Sequence, residues 1–127
     1  MTLVVAAVII NEKGEVLIQK RPKNKPFADF WEFPGGKVEA KEDERLALVR
    51  ELYEELALLF SADDFVLMQE INNAPLCLKF YRLELKEEIA PKAMEFQQWL
   101  WADKKALKQY QFLPLNQKIV EILVNER

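Results

Sequence analysis

The chain has no histidine and one cysteine, Cys77. Without histidine, the usual general base, the usual zinc ligand and any Ser-His or Cys-His nucleophile pair are excluded. Acid–base work must fall to carboxylates, lysine, tyrosine or metal-bound water. A lone cysteine rules out an intrachain disulfide and points to a cytoplasmic setting. It lies in an apolar run and reads as a small buried hydrophobe. The apolar start Leu3–Ile10 is only eight residues long and has no basic flank. It is too short for a membrane span and wrong for a signal peptide. A basic excess is also missing: net charge is −3 and the isoelectric point about 5.2. Affinity for nucleic-acid polymers is not expected, and an anionic chain that handles anionic phosphates needs a metal ion or a local basic patch.

What is present reads as one domain, 1–127, half hydrophobic and 31% charged, with enough chain to bury a core. Leu3–Ile10 is a β-branched run expected as a central strand. A turn at Asn11–Gly14 joins it to a hairpin partner, Glu15–Arg21. Residues 20–26 form a basic, proline-punctuated loop. Arg21 is its best phosphate contact, since a guanidinium can fork onto phosphate oxygens. Phe30–Phe33 is a short aromatic strand, and Pro34-Gly35-Gly36 a turn into a helix over Lys41–Leu58. Strands are expected at Phe65–Ile71, Leu76–Leu85 and Phe96–Trp101. A short helix capped by Asp103 and a final amphipathic helix, Leu115–Asn125, close the chain.

The long helix has an apolar face of Val49, Leu52, Tyr53 and Leu56, and an odd opposite face. Glu51, Glu54 and Glu55 stand at i, i+3 and i+4 in the last two turns. There they repel one another by roughly 0.2–0.5 kcal/mol per pair and oppose the helix dipole. A solvated face eased by Arg50 is one reading. A cluster of oxygen ligands for Mg²⁺ or Mn²⁺ is the other.

The spacing favours the second. Gly36, five residues, Glu42, seven residues, then Arg50-Glu51-Leu52-Tyr53-Glu54-Glu55-Leu56-Ala57-Leu58 resembles the signature box of the Nudix family. One specified position departs: Ala57 stands where the family has glycine, at a helix end where left-handed caps are common. The resemblance covers nearly the whole chain. It implies an α/β (α+β) fold, a mixed sheet sandwiched between helices in the order β-β-β-α-β-β-β-α. It also implies hydrolysis of a nucleoside diphosphate derivative by water. Carried over residue by residue, Glu51, Glu54, Glu55 and the Gly35 carbonyl would bind the metal. Arg50 would orient the glutamates, with Glu42 and Gly36 in support. The general base would be a box glutamate or Glu95, just before the last strand.

Trp31–Lys37 and Phe112–Asn116 resemble MutT-type members, which act on oxidised purine triphosphates such as 8-oxo-dGTP. In that comparison Asn116 would read the base edge, because an amide both donates and accepts. Its other reading is a helix-start residue bonding local backbone. Phe33 and Phe80 are candidate walls of the base pocket or plain core. The hairpin between Glu70 and Leu78 looks shorter than in MutT-type enzymes. Pyrimidine triphosphates, nucleotide sugars and dinucleoside polyphosphates therefore stay open as substrates, as does a catalytically silent ligand-sensing domain. The expected partner is a nucleotide, with neither membrane nor nucleic-acid polymer, and the assembly is a monomer or homodimer.

Overall fold

In the computed structural model, which describes residues 1–126, strand β1 (Thr2–Ile10) is apolar on both faces. Successive strand side chains point to opposite sides of a sheet. Accordingly Val5, Ala7 and Ile9 enter one core, and Ala6, Val8 and Ile10 another. The first core is covered by helix α1 (Glu44–Leu56) through Ala47, Leu48, Leu52 and Leu56. The second is covered by α2 (Gln117–Val124) through Ile119, Val120 and Leu123. A strand buried on both sides needs the unbroken apolar run that the sequence supplies. The expected sandwich of a mixed sheet between helices is present.

The other strands are β2 (Glu15–Lys20), β3 (Trp31–Glu32), β4 (Gly35–Lys37), β5 (Val66–Asn73), β6 (Leu76–Glu84) and β7 (Gln98–Asp103). On one edge β1 runs parallel to β6, from Thr2↔Leu76 to Ile10↔Glu84, and β6 is antiparallel to β5. On its other edge β1 meets β2 at Ile10↔Val16. Further back β4 takes that edge, at Val4↔Lys37, Val5↔Gly36 and Ala6↔Gly35. β2 has turned away to pair with β3 and β7. The sheet therefore splits behind the β1–β2 turn. A cleft opens in the split, lined by Val4 and Ala6 from one side and Gln19 from the other.

Several elements differ from expectation. Pro34-Gly35-Gly36 is not a turn: Gly35-Gly36 begins β4, because the β1 edge vacated by β2 offers backbone partners. Helix α1 starts later and stops earlier. Asp43 caps it by accepting N–H bonds from Arg45 and Leu46 at 2.9 and 3.1 Å. Ala57, left-handed at φ 55° and ψ 33°, ends it. Tyr53 is 58% exposed, and the inward stripe runs through Ala47, Leu48, Leu52 and Leu56 instead. Phe96 lies outside β7, fully exposed with φ 61°. Cys77 is half-buried on β6, not sealed in the core. Asp103 does cap the short helix Lys104–Gln109, which is 3₁₀, by accepting from the Lys105 N–H. Among the described residues, no helix is long and apolar enough to cross a membrane.

Candidate active site

Arg50 gathers the acidic face of α1. Its Nε and one terminal nitrogen grip both oxygens of Glu42, at 2.8 and 3.0 Å. The other terminal nitrogen donates to Glu51 and Glu54, at 3.0 Å each. A further bond of 3.2 Å reaches the Lys37 carbonyl on β4. Only a guanidinium presents enough donors to serve four acceptors at once. The Arg50 bond, helped by the Glu39 N–H, holds the Glu42 carboxyl down at about 2.

Gly36 is the seat of Glu51. A Cβ on Gly36 would lie 2.3 Å from the Glu51 carboxyl carbon. A Cβ on Gly35 would lie 2.0 Å from the Val5 carbonyl oxygen. Neither glycine has a positive φ. Close approach, not turning, requires them.

Glu55 is buried, 7% exposed. Its Oε1 accepts from Gln19 Nε2 at 2.9 Å, and its Oε2 has no hydrogen-bond partner. Burial pushes its carboxyl up to about 8, with Glu51, Glu32 and Glu95 adding repulsion against the Gln19 bond. Burial also raises Glu51, opposed by Arg50. Buried polar atoms are rarely left unpaired. An unpartnered carboxylate oxygen beside a second, partly buried carboxylate, Glu51, suits a hard cation with oxygen ligands. The third glutamate stands apart: Glu54 is on Arg50, half-exposed, and does not line the cleft. Among the described residues, no three carboxylates already converge as a ligand set.

The cleft holds about 880 Å³ and has two chemically different ends. One is acidic, with Glu32, Glu51, Glu55 and Glu95 beside Gly35 and Gly36. At its mouth Lys25 approaches Glu95 to 3.7 Å. Arg21 lines it too, but is held: it donates to Glu32 at 3.1 Å and to the Pro26 carbonyl at 2.7 Å. The other end is apolar, formed by Val4, Ala6, Phe33, Leu78, Leu113 and Leu115 around Asn116.

Asn116 is buried, and its Oδ1 accepts the Phe33 N–H at 3.0 Å, 83 residues away in sequence. It makes no capping bond to α2. An N–H can meet only the carbonyl side of the amide, so the Asn116 NH₂ is left to donate. Phe33 lines the cleft, and Phe80 does not. Phe80 is fully buried behind it, ring centroids 6.2 Å apart, on the β6 face that packs toward α2. It is core, not a pocket wall.

Sequence reasoning missed Gln19, Glu32 and Gln97, all of which line the cleft, as does Lys25 of the basic loop. Glu32 had a signal, an acid set between aromatics in a strand. The two glutamines had none.

The chain matches the NUDIX domain over residues 1–123. It belongs to that family. This Nudix hydrolase is 34% identical over 124 residues to the 8-oxo-dGTP diphosphatase of Haemophilus influenzae, covering 97% of this chain and 91% of the relative. It is 31% identical over 118 residues to the CTP pyrophosphohydrolase of Escherichia coli, covering 92% and 87%. A MutT structure, from work on the Aliivibrio salmonicida and Vibrio cholerae proteins, superposes with a TM-score of 0.85. The identity there is 34%, with 97% of this chain and 96% of that one covered. The chain is a MutT-type Nudix hydrolase, and enzymes of this family generally use divalent metal ions.

Proposed function

We propose that the chain hydrolyses an oxidised purine nucleoside triphosphate, 8-oxo-dGTP foremost, to the monophosphate and pyrophosphate, with Mg²⁺ or Mn²⁺ in a cytoplasmic setting. The observation that carries this reading is the two-ended cleft. Its acidic end suits a metal-bound phosphate chain, and its apolar end carries one inward amide for a base. A volume of about 880 Å³ falls within the usual range for small-molecule sites, roughly 300–1,000 Å³.

Glu51, Glu55 and the Gly35 carbonyl would hold the cation from the cleft, and Glu54 would join them by turning in from its place on Arg50. When bound, a divalent ion neutralises the charge that develops on the phosphoryl oxygens. The chain's own residues do the rest. Arg50 keeps Glu51 and Glu54 oriented, and Glu42 keeps Arg50 oriented. Arg21 and Lys25 face the phosphates. Glu95 takes the proton of the attacking water as the water oxygen bonds to phosphorus, and the bridging P–O bond between the α- and β-phosphates breaks to give monophosphate and pyrophosphate. Phe33 lies against the base, and the Asn116 NH₂ donates to a carbonyl on its edge.

A pyrimidine triphosphate is the second reading. It is favoured by the CTP-hydrolysing relative and by Asn116 itself, because cytosine also presents an acceptor. A panel of 8-oxo-dGTP, the ordinary dNTPs, CTP and nucleotide sugars, with products identified, separates the readings. The expected result is the highest kcat/KM for 8-oxo-dGTP, with monophosphate and pyrophosphate formed. A preference for CTP would favour the second reading. Silence on every substrate with either metal would point to a ligand-sensing domain.

A further inference from the structure

Among the described residues, four polar ones are buried: Gln19, Glu55, Gln97 and Asn116. All four line the cleft. Three of them form one connected group. Gln19 Nε2 donates to Glu55 Oε1 at 2.9 Å and to Glu32 Oε2 at 3.2 Å. Gln97 Nε2 donates to the Glu55 carbonyl at 2.9 Å and reaches Gln19 Oε1 at 3.5 Å. Gln97 Oε1 accepts the Glu95 N–H at 2.9 Å. Two amides thus join three elements that are far apart in sequence: β2, the last turn of α1, and the loop before β7. Each element carries a carboxylate of the cleft or sits directly beside one.

Burying two amides has a desolvation cost that only well-made hydrogen bonds offset. A plain core at these positions could use leucine or methionine. The donors are spent on particular targets instead. Gln19 fixes the side chain of Glu55 and leaves Oε2 turned elsewhere. Gln97 ties the backbone that bears Glu95 to the carbonyl of Glu55. The same carbonyl also accepts the Met94 N–H at 3.0 Å, so the loop is fastened on both sides of Glu95.

We infer that Gln19 and Gln97 are a linked pair of positioning residues, Gln19 aiming Glu55 at the cation and Gln97 setting Glu95 at a fixed distance from it. Neither touches the reacting atoms. The inference rests on the proposed hydrolase reading. Wild-type turnover of a nucleotide is therefore the control: its absence would remove that reading, whereas the variants test this one.

Methionine is close to glutamine in shape but can neither donate nor accept strongly, so Gln19→Met and Gln97→Met keep the packing. Partners behind metal ligands typically contribute about 10–100-fold in metal affinity or activity. For Gln19→Met, Mn²⁺ affinity measured by electron paramagnetic resonance without substrate should weaken by about that factor. For Gln97→Met, kcat should fall by a similar factor with KM nearly unchanged. That fall should largely vanish when Glu95→Gln is already present, while the loss in melting temperature stays the same in both backgrounds. Melting temperatures that drop while Mn²⁺ affinity and kcat stay within twofold of wild type would overturn the inference. So would full additivity of Gln97→Met with Glu95→Gln. If Gln97→Met does not fold, the Mn²⁺ measurement on Gln19→Met decides.

Discussion

Gly35 and Gly36 are neighbours with different jobs, and alanine should reveal the difference. At Gly36 the added carbon meets the movable carboxyl of Glu51. Gly36→Ala is expected to fold but to lose about 10²-fold in kcat/KM, the usual scale for a displaced active-site group. At Gly35 the added carbon meets the backbone of Val5. Gly35→Ala is expected to separate β4 from β1 and to lower stability by about 1–3 kcal/mol. Urea midpoints and steady-state kinetics on both variants check this, and identical behaviour would refute it. Glu51→Gln should lower turnover by several orders of magnitude while leaving the urea midpoint near wild type. At this scale the sequence was readable where residues recur in a fixed spacing, as Gly36, Glu42, Arg50, Glu51, Glu54 and Glu55 do. It was silent on Gln19 and Gln97. A single glutamine at a strand position looks like a solvent-facing residue. Only the fold shows that its neighbours on other elements are carboxylates.

Helix α1 ends on a residue that does not suit its conformation. Ala57 is left-handed and donates its N–H to the Tyr53 carbonyl at 3.0 Å, while the Leu58 N–H closes back on the Leu52 carbonyl at 3.3 Å. That conformation costs an L-residue roughly 1–2 kcal/mol, and glycine would avoid the cost. Glycine also loosens the unfolded chain, by about 0.4–1 kcal/mol. Ala57→Gly should therefore stabilise the protein by about 0.5–1 kcal/mol, read as a higher urea midpoint with kcat unchanged. A lower midpoint would mean that the cap is not strained. The body of α1 was legible because strong helix formers fill it without glycine or proline. Its inward face differs from the expected one, with Tyr53 turned out and Ala47 and Leu48 turned in, since Tyr53 and Leu48 both fit an apolar stripe until the sheet beneath is known. Strand β4 could not be foreseen. Pro-Gly-Gly carries the local signal of a turn, and the partner that overrides it lies some thirty residues earlier. The expected last strand begins at Phe96 and the observed one at Gln98, and the positive φ of Phe96 leaves no mark in the sequence.

For the molecule as a whole, the carboxylates pull stability in opposite directions as pH changes. Glu42, Glu44 and Glu126 are held below their ordinary value of 4.5 by bonds from Arg50, Tyr81 and Arg82 respectively. Their contribution is present above 4.5 and is lost as the solution turns acid. Glu55 behaves in reverse. Its folded-state value, about 8, lies above the ordinary 4.5. The metal-free protein should therefore lose stability as pH rises from about 4.5 through 8 and the buried carboxyl is forced to ionise. A divalent ion held there favours the ionised form. Melting curves from pH 5 to 9, in EDTA and in Mn²⁺, should show a gap that widens with pH. In Glu55→Gln the decline in EDTA should flatten and the gap shrink. An unchanged slope in that variant would dissociate Glu55 from the metal.

The parting of β1 from β2 has a mechanical consequence. The two walls of the cleft are margins of half-sheets stitched together chiefly near Ile10 and Val16. A guest that touches both would splint them. Solvent exchange of the backbone amides of Val4 to Ala6 and of Gln19 to Arg21 should then slow in concert, while the distant margin at β5 continues to breathe at its former rate.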